Sequence, residues 1–232
     1  GIREIDAEHT IFVEPTARKG LGLVGGVGPI GEDNVSYAAH YYAPSMDTLG
    51  TYLDTKENMA ELFEQIRDEA LAIGWPPFLG EFGFYAGFSG DTEYARHQLE
   101  VMEELGFSFT IWSFDTCGNG LCLLDNQKQP LWPLEYITQT YPQRIAGRLI
   151  SWHYDRHART LHLAYDPAGL DPPAVPVIFA PALNYPLGVV PTCTGTEPSA
   201  CVADFLPEQQ QVRVTEAVST AIPVRVTVAP AR

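Results

Sequence analysis

The sequence predicts an α/β region built on a parallel sheet and, behind it, a small antiparallel β domain. In the first part of the chain, short apolar runs alternate with amphipathic segments of helical period, which is typical of strand–helix–strand units with outer helices. Near residues 142–146 the pattern changes to short alternating runs separated by Pro, Gly and Asp, as in a β-sandwich. We therefore expect one domain over 1–144 and a second over 145–232.

The α/β region is assigned from its apolar runs and from the residues that end them. Residues 57–73 carry apolar side chains at three- and four-residue spacing before Gly74, which predicts a helix that ends at a glycine. A second helix is predicted at 92–105 on the same grounds. The predicted strands are 10–14, 35–40, 78–81 and 107–113. This order of elements fits either a doubly wound sheet or a (β/α)8 barrel.

The β domain is assigned from its two-residue alternation. Its predicted strands are 149–154, 160–165, 175–179, 212–215 and 222–228. No convergent pair of carboxylates is evident in this part of the sequence. We therefore expect the β domain to be a structural partner of the α/β region and not the catalytic unit.

Composition narrows the possible functions. With 29 acidic and 14 basic residues the net charge is −15, which repels the phosphates of nucleic acids, so no nucleic-acid partner is expected. A neutral sugar is compatible with this charge and with the 11% of aromatic residues. The sequence has no run of 18 apolar residues, so no membrane span is expected. Gly26-x-Gly28 lacks the Gly-Lys-Ser/Thr of a phosphate loop, and we expect no cofactor and no metal.

The four cysteines fall in two close pairs, Cys117 with Cys122 and Cys193 with Cys201, each flanked by turn-forming residues. Four cysteines allow three connectivities, and pairing within each short loop needs no long-range assumption. We predict these two disulfides and therefore a secreted or extracytoplasmic protein. Zinc is the alternative, although neither spacing has the two-residue gap of a zinc knuckle and no histidine is near in sequence.

Chemically useful residues stand where the apolar runs of the α/β region end. They are Glu14, His40, Glu81 and Trp112. In a parallel barrel, functional side chains project from the carboxyl ends of the strands. Two carboxylates, an imidazole and an indole on one face suit a sugar hydrolase.

The order and spacing of several short motifs resemble glycoside hydrolase family 5. Leu79 to Gly83, Leu-Gly-Glu-Phe-Gly, resembles the nucleophile motif on the seventh strand of that family's barrel. His40 to Tyr42 resembles its sixth-strand His-x-Tyr, and Ile111 to Ser113 resembles its eighth-strand tryptophan segment. Phe12 to Pro15 and the Tyr-Pro-Gln at 141–143 are most similar to endoglycoceramidase-like members, which carry a β-sandwich behind the barrel.

The resemblance implies a retaining glycosidase with a (β/α)8 barrel. Glu81 is then the nucleophile, His40 and Tyr42 line the sugar site with Tyr42 placed to donate a hydrogen bond to Glu81, and Trp112 is the sugar platform. Such an enzyme needs a second carboxyl group, the acid/base, about 5–5.5 Å away. In the family this residue stands in an Asn-Glu-Pro on the fourth strand, and the present sequence contains no Asn-Glu-Pro.

The spacing between Glu14 and Glu81 indicates whether Glu14 replaces the acid/base. It is 67 residues, and a barrel of about 250 residues uses roughly 31 for each strand–helix unit, so the two glutamates are about two units apart. Glu14 then belongs to strand five, where we expect a structural or rim carboxylate. Strands five to eight are therefore expected here, and the acid/base is expected in an N-terminal half of the barrel that lies outside this chain and acts as its partner.

The leading hypothesis is an enzyme that cleaves the β-glycosidic bond between a sugar or oligosaccharide and ceramide. A β-glucosidase or β-1,4-glucanase of the same family is an alternative, because the motifs define the bond chemistry and not the aglycone. A non-catalytic sugar-binding protein built on a degenerate barrel is another, because the acid/base is not in this sequence. The expected small-molecule partner is a glycolipid or a β-glucoside.

Overall fold

The computed structural model describes residues 1–116, 121–167, 175–194, 201–216 and 223–231. The chain divides into two compact units, Gly1–Leu134 and Glu135–Arg232, and each is described by itself.

The first unit is built on a four-stranded parallel sheet in the order β1-β2-β3-β4. The strands are β1 (Ile11–Val13), β2 (Val35–His40), β3 (Pro77–Glu81) and β4 (Ser108–Phe109). The described helices are α1 (Ile2–Ile5), α2 (Pro44–Leu49), α3 (Lys56–Ala72), α4 (Asp91–Leu105) and α5 (Trp132–Ile137), and a 3-10 turn spans Ala17–Leu21. Parallel pairing in chain order, with α3 and α4 in the crossovers, is the arrangement of one half of a (β/α)8 barrel and confirms the predicted fold class.

Helix α3 shows why these crossovers form. The side chain of Thr55 accepts a hydrogen bond from the backbone N–H of Asn58 and caps the first turn, and Gly74 with a φ of 79° ends the segment. The inward face is fully buried at Met59, Phe63, Ile66 and Ala70. Burial of each larger side chain stabilises the fold by about 1.5–3 kcal/mol, more than the cap at about 1 kcal/mol. Apolar spacing therefore located this helix closely.

Strand β4 is shorter than the predicted 107–113 because its neighbour β3 ends at Glu81. The N–H of Thr110 donates to the carbonyl of Leu79 at 3.0 Å, and the N–H of Trp112 donates to the carbonyl of Phe82 at 2.7 Å. Phe82 lies past the end of β3, so the regular ladder stops there. These hydrogen bonds nevertheless hold Trp112 beside the carboxyl end of β3.

The second unit contains two four-stranded antiparallel sheets in the orders β10-β11-β8-β5 and β6-β7-β12-β9. The strands are β5 (Tyr141–Arg144), β6 (Arg148–Asp155), β7 (Thr160–Asp166), β8 (Val177–Phe179), β9 (Val189–Thr194), β10 (Cys201–Leu206), β11 (Gln211–Glu216) and β12 (Val224–Pro230). Buried residues of both sheets share one core that includes Leu161, Val226, Ile178 and Val212. The predicted sandwich is confirmed.

Three strands of this unit were not predicted. Pro142 in β5, Pro191 in β9 and Asp204 in β10 interrupt their apolar runs, and proline is depleted in sheet interiors. The Tyr-Pro-Gln at 141–143 thus belongs to strand β5, which pairs with β8. The alternation of apolar and polar residues does not detect strands that form mainly because neighbouring strands pair with them.

The cysteines of the second unit form the predicted disulfide. Cys193 on β9 is bonded to Cys201 on β10, with Cα atoms 5.6 Å apart. Cys117, and with it the predicted Cys117–Cys122 pair, lies outside the described residues. Over the described ranges of the chain, no helix is long and apolar enough to cross a bilayer.

Candidate active site

Three chemically useful side chains stand at the carboxyl ends of neighbouring strands. Glu14 directly follows β1, His40 is the last residue of β2, and Glu81 is the last residue of β3. These strands are adjacent and parallel, so their carboxyl ends meet at one edge of the sheet. The structure thus brings the three residues together.

A register shift sets His40 opposite Glu81. Ala39 pairs with Leu79 but His40 pairs with Glu81, so Gly80 is the extra residue of a β-bulge. Bulges beside active sites commonly redirect a side chain. A Cβ built on Gly80 would lie 3.1 Å from both Cδ2 and Nε2 of His40. The imidazole therefore packs closely against the glycine before Glu81, and a side chain at this position would require the ring to shift.

Tyr42 holds one oxygen of Glu81. Its hydroxyl donates to Oε1 at 2.8 Å. Burial and, after it, this hydrogen bond raise the pKa of Tyr42 well above its ordinary value, so the phenol is a neutral donor at any working pH. The Glu81 side chain keeps 28% of its surface exposed. The carboxylate is thus oriented and still accessible.

A second tyrosine, which the sequence did not point to, supports Tyr42. Tyr85 is buried, its ring meets that of Tyr42 edge to face with centroids 6.3 Å apart, and its hydroxyl donates to Asp47 on α2. Burial, and then the hydrogen bond to Asp47, raise the pKa of Tyr85. Neither Tyr85 nor Asp47 ends a strand, so reasoning from strand ends missed both. The aromatic run directly after Glu81 is the one signal in the sequence.

His40 lies between two carboxylates. Its Nδ1 is 3.3 Å from Oε1 of Glu14 and 3.7 Å from Oε2 of Glu81. The Glu14 side chain is 54% exposed and that of His40 is 31% exposed. Glu14, expected at the rim, is thus within ion-pair distance of the histidine of the cluster.

Trp112 presents an exposed indole beside this cluster. A Cβ built on Gly83 would lie 2.5 Å from the carbonyl oxygen of Trp112, so the two backbone segments touch. The peptide bond between Trp112 and Ser113 is cis. The Trp112 side chain is 52% exposed and that of Phe114 is 67% exposed. Exposed aromatic faces suit stacking on sugar rings.

The four site residues named from the sequence therefore lie at one edge of the sheet. Glu81, His40 and Tyr42 are in direct contact or within ion-pair distance, and Trp112 is joined to the same strand end through its backbone. An accessible carboxylate held by a neutral phenol is suited to attack an electrophilic carbon. In the part of the chain that the structure describes, no cluster of His, Cys, Asp and Glu is arranged to hold a metal ion.

Solved structures of sugar-cleaving enzymes share this fold. Endo-glycoceramidase II from Rhodococcus sp. in complex with ganglioside GM3 is similar with a TM-score of 0.83 and 20% identity, over 100% of this chain and 51% of that one. Its lactosyl-enzyme intermediate gives 0.79 at 21% identity over 100% and 51%. Sterylglucosidase 1 from Cryptococcus neoformans gives 0.66 at 12% identity over 85% and 38%. The chain spans about half the length of the endo-glycoceramidase.

Sequence comparison identifies the family. No curated protein matches the chain. The profile described as Cellulase (glycosyl hydrolase family 5) matches residues 1–118, which contain every residue of the site above. The profile of the glycoside hydrolase family 5 C-terminal domain matches residues 139–228. The chain therefore belongs to glycoside hydrolase family 5.

Proposed function

We propose that this chain carries the nucleophile of a retaining glycoside hydrolase and that the nucleophile is Glu81. The observation that supports this best is the carboxylate at the end of β3, which accepts a 2.8 Å hydrogen bond from Tyr42 and remains accessible. In retaining glycosidases one carboxylate attacks the anomeric carbon and a second carboxyl group protonates the leaving oxygen. The lactosyl-enzyme intermediate of the similar endo-glycoceramidase II agrees with covalent chemistry in that enzyme.

The reaction then proceeds in two steps. An oxygen of Glu81 bonds to the anomeric carbon while the bond to the aglycone oxygen breaks, and that oxygen takes a proton from the acid/base. This leaves a glycosyl ester on Glu81 and a free alcohol. A water next attacks the same carbon, gives its proton to the acid/base and releases the Glu81 carboxylate. Tyr42 occupies Oε1, so we assign Oε2 to the attack, with Trp112 as the platform for the sugar.

The acid/base is proposed to come from the other half of the barrel. Over the described residues, β1 and β4 pair on one side only, which leaves two open edges and an incomplete barrel core. The Asn-Glu-Pro that the family resemblance calls for is not in the sequence. Activity then needs that half, supplied in one polypeptide or as a tightly associated fragment.

A lipid aglycone is proposed because the segments that follow β2 and β4 expose apolar side chains. Leu49 and Leu53 are exposed after β2, and Phe114 is exposed after β4 close to Trp112. Two proteins of similar fold are named for a glycoceramide and for a steryl glucoside. We assign a glycosphingolipid, cleaved between the sugar and ceramide, as the substrate.

The domain after about residue 145 is proposed to support the first unit without taking part in the chemistry. Its disulfide between Cys193 and Cys201 favours an oxidising, extracytoplasmic location for the protein.

Trapping tests the nucleophile. The chain, alone and with the other half of the barrel, is incubated with a 2-deoxy-2-fluoro-β-glucoside that carries an activated leaving group. We expect the reconstituted protein to gain one fluorosugar on Glu81, located by peptide mass spectrometry, and Glu81→Gln to gain none. Label on a different residue would overturn the assignment. Sugar binding without any label would identify the non-catalytic alternative.

Rates on three substrates test the aglycone. We expect the reconstituted protein to have a higher kcat/KM for a glycosylceramide than for an aryl β-glucoside or a cello-oligosaccharide. Preference for the cello-oligosaccharide would favour the glucanase alternative. Full activity of residues 1–232 alone would place the acid/base within this chain.

A further inference from the structure

We infer that Glu14 is a positioning residue, which acts on the site by holding the proton of His40 on Nδ1, beside Glu81. The inference rests on the proposed function. It gives a role to a carboxylate at the edge of the site that the mechanism above leaves unused.

The geometry at His40 determines which ring nitrogen carries the proton. Nδ1 faces Oε1 of Glu14 at 3.3 Å and Oε2 of Glu81 at 3.7 Å. Ionised carboxylates only accept hydrogen bonds, so an unprotonated Nδ1 would turn its lone pair toward two negative oxygens. A proton on Nδ1 replaces this repulsion with attraction. Both contacts are longer than an ordinary N–H···O hydrogen bond, so the selection is electrostatic, and Glu14, as the nearer carboxylate, contributes most to it.

The backbone around His40 keeps the ring in this place. Gly80 lies against the ring, where a Cβ would come within 3.1 Å of Cδ2 and Nε2. At the backbone of the same residue, a Cβ on Gly20 would lie 2.9 Å from the carbonyl oxygen of His40. Two glycines thus allow β3 and the 3-10 turn to pack closely around this residue, and they leave Nδ1 directed at the carboxylates.

Glu14 is itself held by the residues that follow it. It precedes Pro15, and a residue before proline is restricted to extended backbone. Pro15 is buried, and a Cβ on Gly25 would lie 2.9 Å from the Cβ of Pro15. The N–H of Thr16 donates to the carbonyl of Gly25 at 3.1 Å. The Val-Glu-Pro segment therefore presents its carboxylate to His40 from a well-anchored loop.

The contact between Glu14 and His40 is suited to catalysis more than to stability. The two side chains are 54% and 31% exposed, and contacts between exposed charged groups contribute little to the stability of a fold. The same contact directs the proton of His40 toward the oxygen of Glu81 that we assign to the attack. Removing Glu14 is therefore expected to change the rate and to leave stability unchanged.

Nitrogen-15 NMR of protein with labelled histidine tests the inference independently of activity. At a pH high enough for the nitrogen-15 shifts to report a neutral imidazole, we expect Nδ1 of His40 to be protonated in the wild type, and Glu14→Ala to move the proton toward Nε2. Glu64→Ala, at an exposed glutamate of α3, is the matched control and should change nothing. An unprotonated Nδ1 in the wild type, or no change in Glu14→Ala, would overturn the inference even if Glu81 is the nucleophile.

Kinetics of the reconstituted enzyme separates positioning from acid/base chemistry. We expect Glu14→Ala to lower kcat/KM by between about 10- and 100-fold, equally for good and poor leaving groups, with no rescue by azide and an unchanged Tm. In a His40→Gln background the same substitution should add little, because Glu14 acts through the imidazole. A loss confined to poor leaving groups and restored by azide would make Glu14 the acid/base. Additive losses would show that it does not act through His40.

Discussion

Two glutamates of the first unit each accept a hydrogen bond from a tyrosine, and the difference between them separates a structural carboxylate from the proposed nucleophile. Glu69 on α3 accepts from Tyr37, and Glu81 at the end of β3 accepts from Tyr42. Their side chains are similarly exposed, 21% and 28%. Exposure therefore does not distinguish them, and the difference lies in their other partners.

Glu69 has a partner at each oxygen. Oε2 accepts from Tyr37 at 3.0 Å and lies 2.8 Å from Nζ of Lys19, and Oε1 accepts from the N–H of Gly25 at 2.9 Å. Lys19 is buried, and Glu69 provides its counter-charge. A Cβ on Gly25 would lie 2.1 Å from the Tyr37 hydroxyl, which leaves room only for glycine. The cluster fastens the loop after β1 to α3 and β2.

Among the residues that the structure describes, one oxygen of Glu81 has no such partner. Tyr42 donates to Oε1, whereas Oε2 faces Nδ1 of His40 at 3.7 Å, too far for a hydrogen bond. A carboxylate is a weak nucleophile when both of its oxygens accept hydrogen bonds and its charge is neutralised by a cation. What distinguishes the proposed nucleophile from Glu69 is this oxygen, to which none of the described residues donates a hydrogen bond.

Neutralising each glutamate in turn gives the largest expected effect. Glu81→Gln should lower the rate of hydrolysis by at least about 10⁴-fold, since an amide does not form the glycosyl ester, and should leave the Tm unchanged. Glu69→Gln should change kcat little at temperatures where it is folded. Both are measured on an aryl β-glucoside with the reconstituted enzyme. Equal inactivity of the two folded variants would contradict the comparison.

For stability the order of the two variants should be reversed: Glu69→Gln should lower it, and Glu81→Gln should not. Glu69→Gln is expected to cost about 2–4 kcal/mol, because it leaves the buried Lys19 without a counter-charge. The measurement is hydrogen exchange of backbone amides in β2 and α3, compared with Glu81→Gln as the control. The double variant Lys19→Met/Glu69→Leu should lose less than Glu69→Gln alone, since both charges are removed together. A double variant that is less stable than the single one would show that the pair itself stabilises the fold.

Replacing the two tyrosines by phenylalanine tests the same difference between Glu81 and Glu69 with a smaller expected effect. Tyr42→Phe removes a hydrogen bond to a charged group, worth about 1.5–3 kcal/mol, and should lower kcat/KM by about 10- to 100-fold with an unchanged Tm. Tyr37→Phe removes the matching bond to Glu69 and should lower the Tm while leaving kcat/KM unchanged. Steady-state rates and thermal melts of the two variants check this. A lower Tm in Tyr42→Phe with full activity would reverse the roles.

The strands and helices that carry the two glutamates were predicted from periodicity, because apolar spacing shows which faces of an element are buried. Glu81, His40 and Tyr42 were also within reach of sequence reasoning, since they stand at or next to strand ends in motifs that resemble a known family. The Glu69 cluster was not. Its partners, Lys19, Gly25 and Tyr37, are separated along the chain from α3, and only the fold brings them together.

The bulge at Gly80 and the contact between Glu14 and His40 could not be predicted from the sequence either. The sequence indicates that Glu14, His40 and Glu81 share an edge, but the register shift that sets His40 opposite Glu81 depends on the pairing of β2 with β3. The spacing of Glu14 predicted its strand correctly in relation to Glu81, with β2 between the two. Its contact with the histidine depends on the loop that Gly25 anchors.

The acid dependence of stability is the smallest effect and tests the Glu69 cluster alone. Burial favours the neutral acid, but Lys19, the N–H of Gly25 and the Tyr37 hydroxyl together lower the pKa of Glu69 below its ordinary 4.5. A carboxylate with a lower pKa in the folded state stabilises the fold fully above its unfolded value, and this contribution is lost as the pH falls through the folded value. Hydrogen exchange of α3 amides at pH values above and below 4.5 should therefore show a smaller acid-induced loss of protection in Glu69→Gln than in the wild type. Glu64→Gln, at an exposed glutamate of the same helix, should keep the wild-type dependence. If Glu69→Gln keeps it too, the lowered pKa contributes nothing to stability, and Glu69 is no more structural than the exposed glutamates around it.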